Sequence, residues 1–307
     1  MSVPMLVIVG PTAAGKTAIA MAVCERVDGE IISADSVQVY RGLDIGSAKP
    51  SMEERARVPH HCLDLIEPSQ RLDAAAWAAA ADDAIADIRG RGKVPIVCGG
   101  SGLYVRALLH GLVPIPDIEP EIRQAVRAQL SERGPEAMHR ELEGVDPGAA
   151  ERIAPRDGQR ITRALEVWQS TGRALTDWQE EHRFASKRHA AHVVGLWPER
   201  ELLYHRINRR VVAMLDAGWF SEVRELLQSG IAPAAPGLQT MGYRDVVACV
   251  RGERDPGVMK KQVAQSHRRY ARRQLVWFRG VSAREDRLVH HDPDEVGLID
   301  ALVAYLA

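Results

Sequence analysis

The sequence predicts an α/β fold: a parallel sheet flanked by helices, interrupted by an all-helical insertion. Three observations predict it. Short apolar runs alternate with helical stretches, as in strands buried on both faces. The first run feeds a glycine-rich loop that opens a helix, Gly10-Pro11-Thr12-Ala13-Ala14-Gly15-Lys16-Thr17. Between Pro114 and Arg188 the pattern turns helical, with no strand candidate.

Met5–Val9 is five apolar residues stopped by Gly10-Pro11, a fully buried strand. Residues 17–26 follow as a helix. Residues 30–34 form a second strand that ends at Asp35. The Ala-rich segment 72–89 has high helix propensity. Residues 94–98 make a third strand, broken by Gly99-Gly100, and 192–196 a fourth. Pro114, Pro116 and Pro120 mark entry to the insertion, whose helices are expected near 119–133, 135–143, 158–171 and 175–183. From Glu199 onward the chain reads as mostly helical. The expected division is an α/β core over 1–116, a helical insertion over 117–190, and the rest of the core with basic C-terminal helices over 191–307.

Composition excludes several classes. With 307 residues, 46% apolar and 26% charged, the chain is neither disordered nor a disulfide-stapled miniprotein. Only 5% is aromatic, so the core must be aliphatic. The net charge of −1 argues for no partner, and any nucleic-acid surface must be a local patch. Cys24, Cys62, Cys98 and Cys249 form no C-x-x-C pair, which disfavours structural zinc. Free thiols without a targeting signal suit a cytoplasmic protein. No run approaches the roughly 18–20 apolar residues that span a bilayer, and nothing demands more than a monomer.

The loop Gly10–Thr17 fits G-x-x-x-x-G-K-[ST] between a strand and a helix, the context of a phosphate-binding P-loop. Its backbone N–H groups wrap a phosphate, Lys16 supplies a point charge, and Thr17 offers a hydroxyl to Mg²⁺. The motif identifies a polyphosphate, not a reaction. The usual magnesium-binding aspartate is missing, because strand 94–98 runs into Gly99-Gly100-Ser101-Gly102. Asp35 ends a different strand. Spacing leaves it three roles: a cap on Ser36 or Gln38, a Mg²⁺ ligand, or a general base. His60-His61 are adjacent, so they do not face one metal, and read as structural or substrate-orienting.

At these residues the chain resembles the bacterial tRNA dimethylallyltransferases, or tRNA isopentenyltransferases. The stretches that carry the resemblance are Gly10–Thr17, Asp35-Ser36-Val37-Gln38-Val39-Tyr40 through Asp44 to Lys49-Pro50, Pro59-His60-His61, and Gly99-Gly100-Ser101-Gly102-Leu103-Tyr104. Further matches are Gln159-Arg160-Ile161-Thr162-Arg163 through Val167, Arg206 through Met214 to Gly218, Gly242-Tyr243-Arg244, and Arg272-Arg273-Gln274 to Trp277. They cover nearly the whole chain in family order.

The resemblance implies a P-loop NTPase-like fold. It implies transfer of the dimethylallyl group of dimethylallyl diphosphate to N6 of adenosine 37, in the anticodon stem-loop of tRNAs reading codons that begin with U. Gly10, Pro11, Thr12, Ala13, Ala14, Gly15, Lys16 and Thr17 would then bind the diphosphate, with Mg²⁺ at Thr17. Whether ATP enters the loop stays open. The implied catalytic residues are Asp35 as proton acceptor, Ser101 beside the phosphates or metal, Lys16, and Arg210. For Arg210 a solvated helix charge is the alternative. Asp35, Ser36, Val37, Gln38, Ser101, Arg123, Gln159, Arg160, Ile161, Thr162 and Arg163 are implied to face tRNA, with a plain surface role equally open for Arg123.

The stretch from Arg251 to Arg279 holds nine Lys or Arg against two acids. A basic helix is commonly a solvated face; a tRNA substrate favours phosphate binding. Tyr243, Tyr270 and Trp277 could stack on RNA, but helix-face core packing is the favoured reading for each. The rival functions are an adenylate isopentenyltransferase acting on free nucleotide, a P-loop small-molecule kinase, and a nucleotide-gated RNA-binding protein.

Overall fold

The computed structural model describes residues 5–182, 188–282 and 288–306. The chain divides into two compact units, one of Met1–Leu109 with Arg188–Ala307 and one of His110–Lys187.

The first unit begins β1 (Met5–Val9), α1 (Lys16–Val27), β2 (Gly29–Ala34), α2 (Met52–Arg57), β3 (His60–His61), α3 (Ala74–Gly90), β4 (Val94–Gly99) and α4 (Gly102–His110). The second unit holds α5 (Pro120–Arg133), α6 (Pro135–Val145), α7 (Pro147–Arg152), α8 (Gly158–Thr171) and α9 (Leu175–His182). The chain then returns to the first unit as β5 (Ala191–Leu196), α10 (Arg200–Asp216), α11 (Trp219–Gln228), α12 (Tyr243–Val250), α13 (Pro256–Ser282), β6 (Leu288–His291) and α14 (Leu298–Leu306).

The sheet is six-stranded and parallel, in the order β3-β2-β4-β1-β5-β6. All five residues of β1 are buried, as expected of a central strand covered on both faces. Leu6, Ile8, Ile31, Ile96 and Val194 pack with Ile19 and Val23 of α1 and Leu298 and Leu302 of α14. Each such side chain contributes about 1.5–3 kcal/mol by leaving water. The four strands read from apolar runs are present. The two edge strands were not anticipated: β3 has two residues, too few to show a pattern, and β6 reads Leu288-Val289-His290-His291.

Register sets where the site lies. Gly99 pairs with Val9 on one side and Ala34 on the other, and Val9 pairs with Gly195. The carboxyl ends of β1, β2, β4 and β5 are therefore level. The segments after β1, β2 and β4 emerge together at one edge of the sheet, the usual place for a ligand in an α/β fold.

The second unit has its own core of Val126, Met138, Leu142, Ala149, Ala150, Ile161, Ala164 and Leu165. It begins at His110, where α4 ends, rather than at residue 117, and it ends at Lys187 rather than at 190. It also holds the short helix α7, unanticipated, which the buried Asp146 caps by accepting from Ala149 N at 2.9 Å.

Candidate active site

The loop between β1 and α1 turns on two positive φ angles. Gly15 precedes α1 at φ 86, open to glycine without strain, while Ala13 holds φ 64. Thr12 through Thr17 line a cavity of about 700 Å³ together with Asp35, Gln38, Cys98, Arg210, His267, Tyr270 and Gln274. Gly10 and Pro11 lie behind that wall; Pro11 instead accepts a 2.8 Å bond from Lys16 Nζ. Burial is the main force on Lys16 and lowers its pKa to about 8, with Arg210 adding to the fall and Asp35 opposing it.

Arg210, on α10, reaches the same cavity. Among the described residues its guanidinium makes only long bonds of 3.4 Å, to Thr12 Oγ1 and to the Ser47 carbonyl, and its Nε is buried without a partner. Burial pulls its pKa down and Asp35 pulls it back. A cation desolvated beside a second cation, without a carboxylate bonded to it, is arranged to receive an anion. The solvated-charge alternative for Arg210 is thereby removed.

Asp35 stands at the end of β2. Its Oδ1 accepts from Val37 N at 2.8 Å and from Gln38 N at 3.3 Å, an Asx turn. The capping role is thus real, on Val37 and Gln38 rather than Ser36. Among the described residues Oδ2 has no hydrogen-bond partner, so the second oxygen is available at the cavity wall. Ser101 does not line the cavity. Its Oγ accepts from Ser36 N at 3.0 Å, and the Tyr270 hydroxyl bonds to it. Its hydroxyl acts directly on the Asp35–Ser36 turn.

Several residues of the site were not assigned from the sequence. Gln274 on α13 accepts from Thr12 N at 2.9 Å and donates to Gly100 O at 2.9 Å, tying the P-loop to the segment after β4. Glu222 on α11 gathers the N–H groups of Asp44 at 2.9 Å and Ile45 at 2.6 Å, and the Tyr243 hydroxyl at 2.7 Å. It thereby fixes the turn whose Ser47 carbonyl meets Arg210. Lys49 is buried and bridges Asp44 at 2.5 Å and Asp64 at 2.6 Å. His267 is buried in the wall; burial and then Arg210 lower its pKa to about 4, so it is neutral at pH 7. Asp44, Lys49, Tyr243 and Gln274 lay in the stretches that carried the resemblance, without roles. Glu222 and His267 gave no signal.

In the second unit, Gln159, Arg160 and Arg163 are exposed on α8, and Arg123 is exposed on α5. Arg160 pairs with Asp157 at 2.9 Å. Burial lowers the pKa of Arg163; Glu166, 3.9 Å away, raises it and Arg123 lowers it, so the two arginines sense each other. Ile161 and Thr162 do not fit an RNA face. Ile161 is fully buried in the unit's core, and the buried Thr162 spends its hydroxyl on the Gly158 carbonyl. One helical turn cannot present five consecutive residues to one surface.

His60 Nδ1 meets the Val58 carbonyl at 2.7 Å and His61 Nε2 meets Glu30 at 2.7 Å, a structural role for the pair. Among the described residues no group of three or more His, Cys, Asp or Glu is placed to hold a metal. No described helix is long and apolar enough to cross a membrane. All four cysteines are free thiols.

A family model described as IPP transferase matches residues 38–281, and one described as isopentenyl transferase matches residues 3–64. The tRNA dimethylallyltransferase of Anaeromyxobacter dehalogenans (strain 2CP-C) is 49% identical over 275 residues, 90% of this chain and 91% of that protein. That of Geobacter metallireducens is 46% identical over 90% of this chain and 89% of that protein. The crystal structure of the full-length tRNA isopentenylpyrophosphate transferase from Bacillus halodurans aligns with TM-score 0.70 at 34% identity, covering 99% of this chain and 95% of that one. A eukaryotic dimethylallyltransferase acting on tRNA aligns with TM-score 0.81 at 25% identity, over 97% of this chain and 76% of that one.

Proposed function

The chain belongs to the IPP transferase family, that of the tRNA dimethylallyltransferases, and from that premise we propose how its site works. The enzyme transfers the dimethylallyl group of dimethylallyl diphosphate to N6 of an adenosine in tRNA, releasing diphosphate. The adenosine is number 37, in the anticodon stem-loop of tRNAs that read codons beginning with U. The protein acts as a cytoplasmic monomer, consistent with four reduced thiols.

One observation carries the reading of the site: two cations and a carboxylate share a cavity at the P-loop. Lys16 and Arg210 receive the donor's diphosphate with amides of the loop that lines the cavity, leaving out Thr12 N, which Gln274 occupies, and Ala14 N, which donates to the Pro11 carbonyl. As the carbon–oxygen bond of the donor breaks, charge grows on the diphosphate, and these groups stabilise it. The exocyclic amine attacks the allylic carbon and must lose a proton; Asp35 Oδ2 accepts it. Its turn, buttressed by Ser101 and Tyr270, keeps that oxygen directed at the cavity.

Mg²⁺ fits this donor set. It takes few protein ligands and keeps water and phosphate oxygens, so the Thr17 hydroxyl at the cavity suffices as its protein ligand. When bound it neutralises charge on the diphosphate. The test is titration of the protein with dimethylallyl diphosphate and, separately, with ATP. Tight donor binding that Lys16→Ala weakens supports the assignment. Donor affinity unchanged by Lys16→Ala removes it.

A further inference from the structure

Helix α13 has two faces with different work. Met259, Val263, His267, Ala271, Gln274 and Phe278 are buried along one side, and three residues of this helix wall the donor cavity: His267, Tyr270 and Gln274. The other side carries charge. Over its 27 residues the helix has seven Lys or Arg and no Asp or Glu. The whole chain has 40 basic and 41 acidic residues, so everything outside this helix has 33 against 41, or −8. A protein of balanced charge has concentrated its positive potential on one element.

That charge is not compensated locally. Lys260, Lys261, Arg269 and Arg272 are exposed and make no ion pair or hydrogen bond among the described residues. Arg268 meets only the neutral Asn208, and Arg273 leans on the Tyr270 ring. Lys261, Arg268, Arg269 and Arg272 fall on one side of the helix, opposite the cavity-facing stripe. Lys261 to Arg272 spans roughly 17 Å along the axis. Like charges three and four apart, as in Arg268/Arg272 and Arg269/Arg272, destabilise a helix by roughly 0.2–0.5 kcal/mol per pair. An anion lying along the stripe relieves that repulsion.

We propose that the outer face of α13, through Lys261, Arg268, Arg269 and Arg272, is a docking surface for the phosphodiester backbone of the tRNA substrate. Charge complementarity selects the occupant: a periodic row of unpaired cations, with Val258 and Val276 the large apolar side chains exposed on the helix, fits a polyanion better than an apolar protein surface. The inference rests on the tRNA reading above and adds to it a surface outside the donor cavity. Because the helix is continuous, RNA held on the outer face lies across the same turns that hold Tyr270 and Gln274 against the P-loop.

The test is a triple variant, Lys261→Ala with Arg269→Ala and Arg272→Ala, in the full chain. Affinity for unmodified tRNA is measured from low to moderate salt. Each lost phosphate contact flattens the logarithmic salt slope by about 0.7–0.9, so the expected change is about 2–3, with a weakening of at least about tenfold at low salt. Donor affinity and turnover at saturating tRNA stay as in the parent. Arg269→Lys with Arg272→Lys keeps the slope, because a phosphate accepts either cation. An unchanged slope and affinity overturns the proposal. So does a fall in donor affinity or melting temperature that accounts for the loss, a parent that binds poly-glutamate as it binds tRNA, or a parent dimer that the triple variant dissolves. Prenyl transfer by the parent is read alongside: tRNA that binds through the stripe without being modified sinks the enzymatic reading and leaves this surface standing.

Discussion

Replacing Asp35 by asparagine separates the two duties of this side chain. Its Oδ1 holds the turn by accepting from Val37 N at 2.8 Å and Gln38 N at 3.3 Å. An amide oxygen can do the same, so the turn survives. What asparagine cannot do is accept a proton at the second position. Removing a positioned general base costs about 10²–10⁴ in rate, or about 2.7–5.5 kcal/mol of barrier. Asp35→Ala goes further: it also strands the two backbone N–H groups, at about 1–3 kcal/mol each if they stay buried. Asp35→Asn should therefore melt near the parent temperature and bind tRNA within a few fold, yet transfer at least about a hundredfold more slowly. Asp35→Ala should be as slow and less stable. Asp35 also holds the pKa of Lys16 up, so both variants should bind donor somewhat less well above pH 7. The assay is single-turnover transfer at saturating donor and tRNA, followed by nucleoside mass analysis across a Mg²⁺ titration. Rescue by high Mg²⁺ would make Asp35 a metal ligand rather than a base. A rate within about threefold of the parent at ordinary Mg²⁺ would refute the argument and leave Asp35 a turn cap, since a base is worth at least about a hundredfold.

Other consequences follow from the same geometry. The half-buried Lys16, with its pKa lowered to about 8, is charged below that pH and neutral above it, so donor affinity should fall as pH rises through 8; calorimetry from pH 7 to 9.5 checks this, and a flat profile contradicts it. Gln274→Leu leaves Thr12 N–H and Gly100 C=O unpaired, so both melting temperature and donor affinity should drop; a drop in melting temperature alone would limit Gln274 to packing. A methyl group added at Gly46 would sit 2.1 Å from Trp219 Nε1, so Gly46→Ala should destabilise by about 1–3 kcal/mol, read by denaturant unfolding. The Glu30 carboxyl is lowered from 4.5 to about 2, by Arg91 foremost, then by His61 against the opposing effect of burial. Its stabilisation is complete above pH 4.5 and lost as pH falls toward 2; Glu30→Gln should flatten the acid limb of stability over that window, seen by circular dichroism.

Much of this architecture was legible because it depends on local pattern. β1, β2, β4 and β5 announce themselves as apolar runs, and Gly10–Thr17 carries its loop in its spacing. The ends of the sheet did not: β3 is two histidines, one held by Glu30, and its strand character exists only through pairing with Ile31 and Ile32. Among site residues, Lys16 and Asp35 were readable from motif and strand end. Ser101 was found, but its bond from the Ser36 N–H was not, because only the fold brings the two together. Ile161 and Thr162 were swept into a contiguous RNA-facing segment, though helical periodicity turns them into the core. Glu222 and His267 act across 178 and 57 residues of sequence respectively, on Asp44 and against Arg210, and no spacing rule could have paired them.

The P-loop cavity serves prenyl transfer to tRNA rather than nucleotide hydrolysis or cytokinin synthesis. Incubating purified protein, Mg²⁺ and dimethylallyl diphosphate with unmodified tRNA, and in parallel with AMP, separates these activities. The expected result is an added C5H8 on adenosine recovered from the tRNA and none on AMP. Product on AMP alone, or ATP hydrolysis with no prenylated nucleoside in either tube, would contradict it.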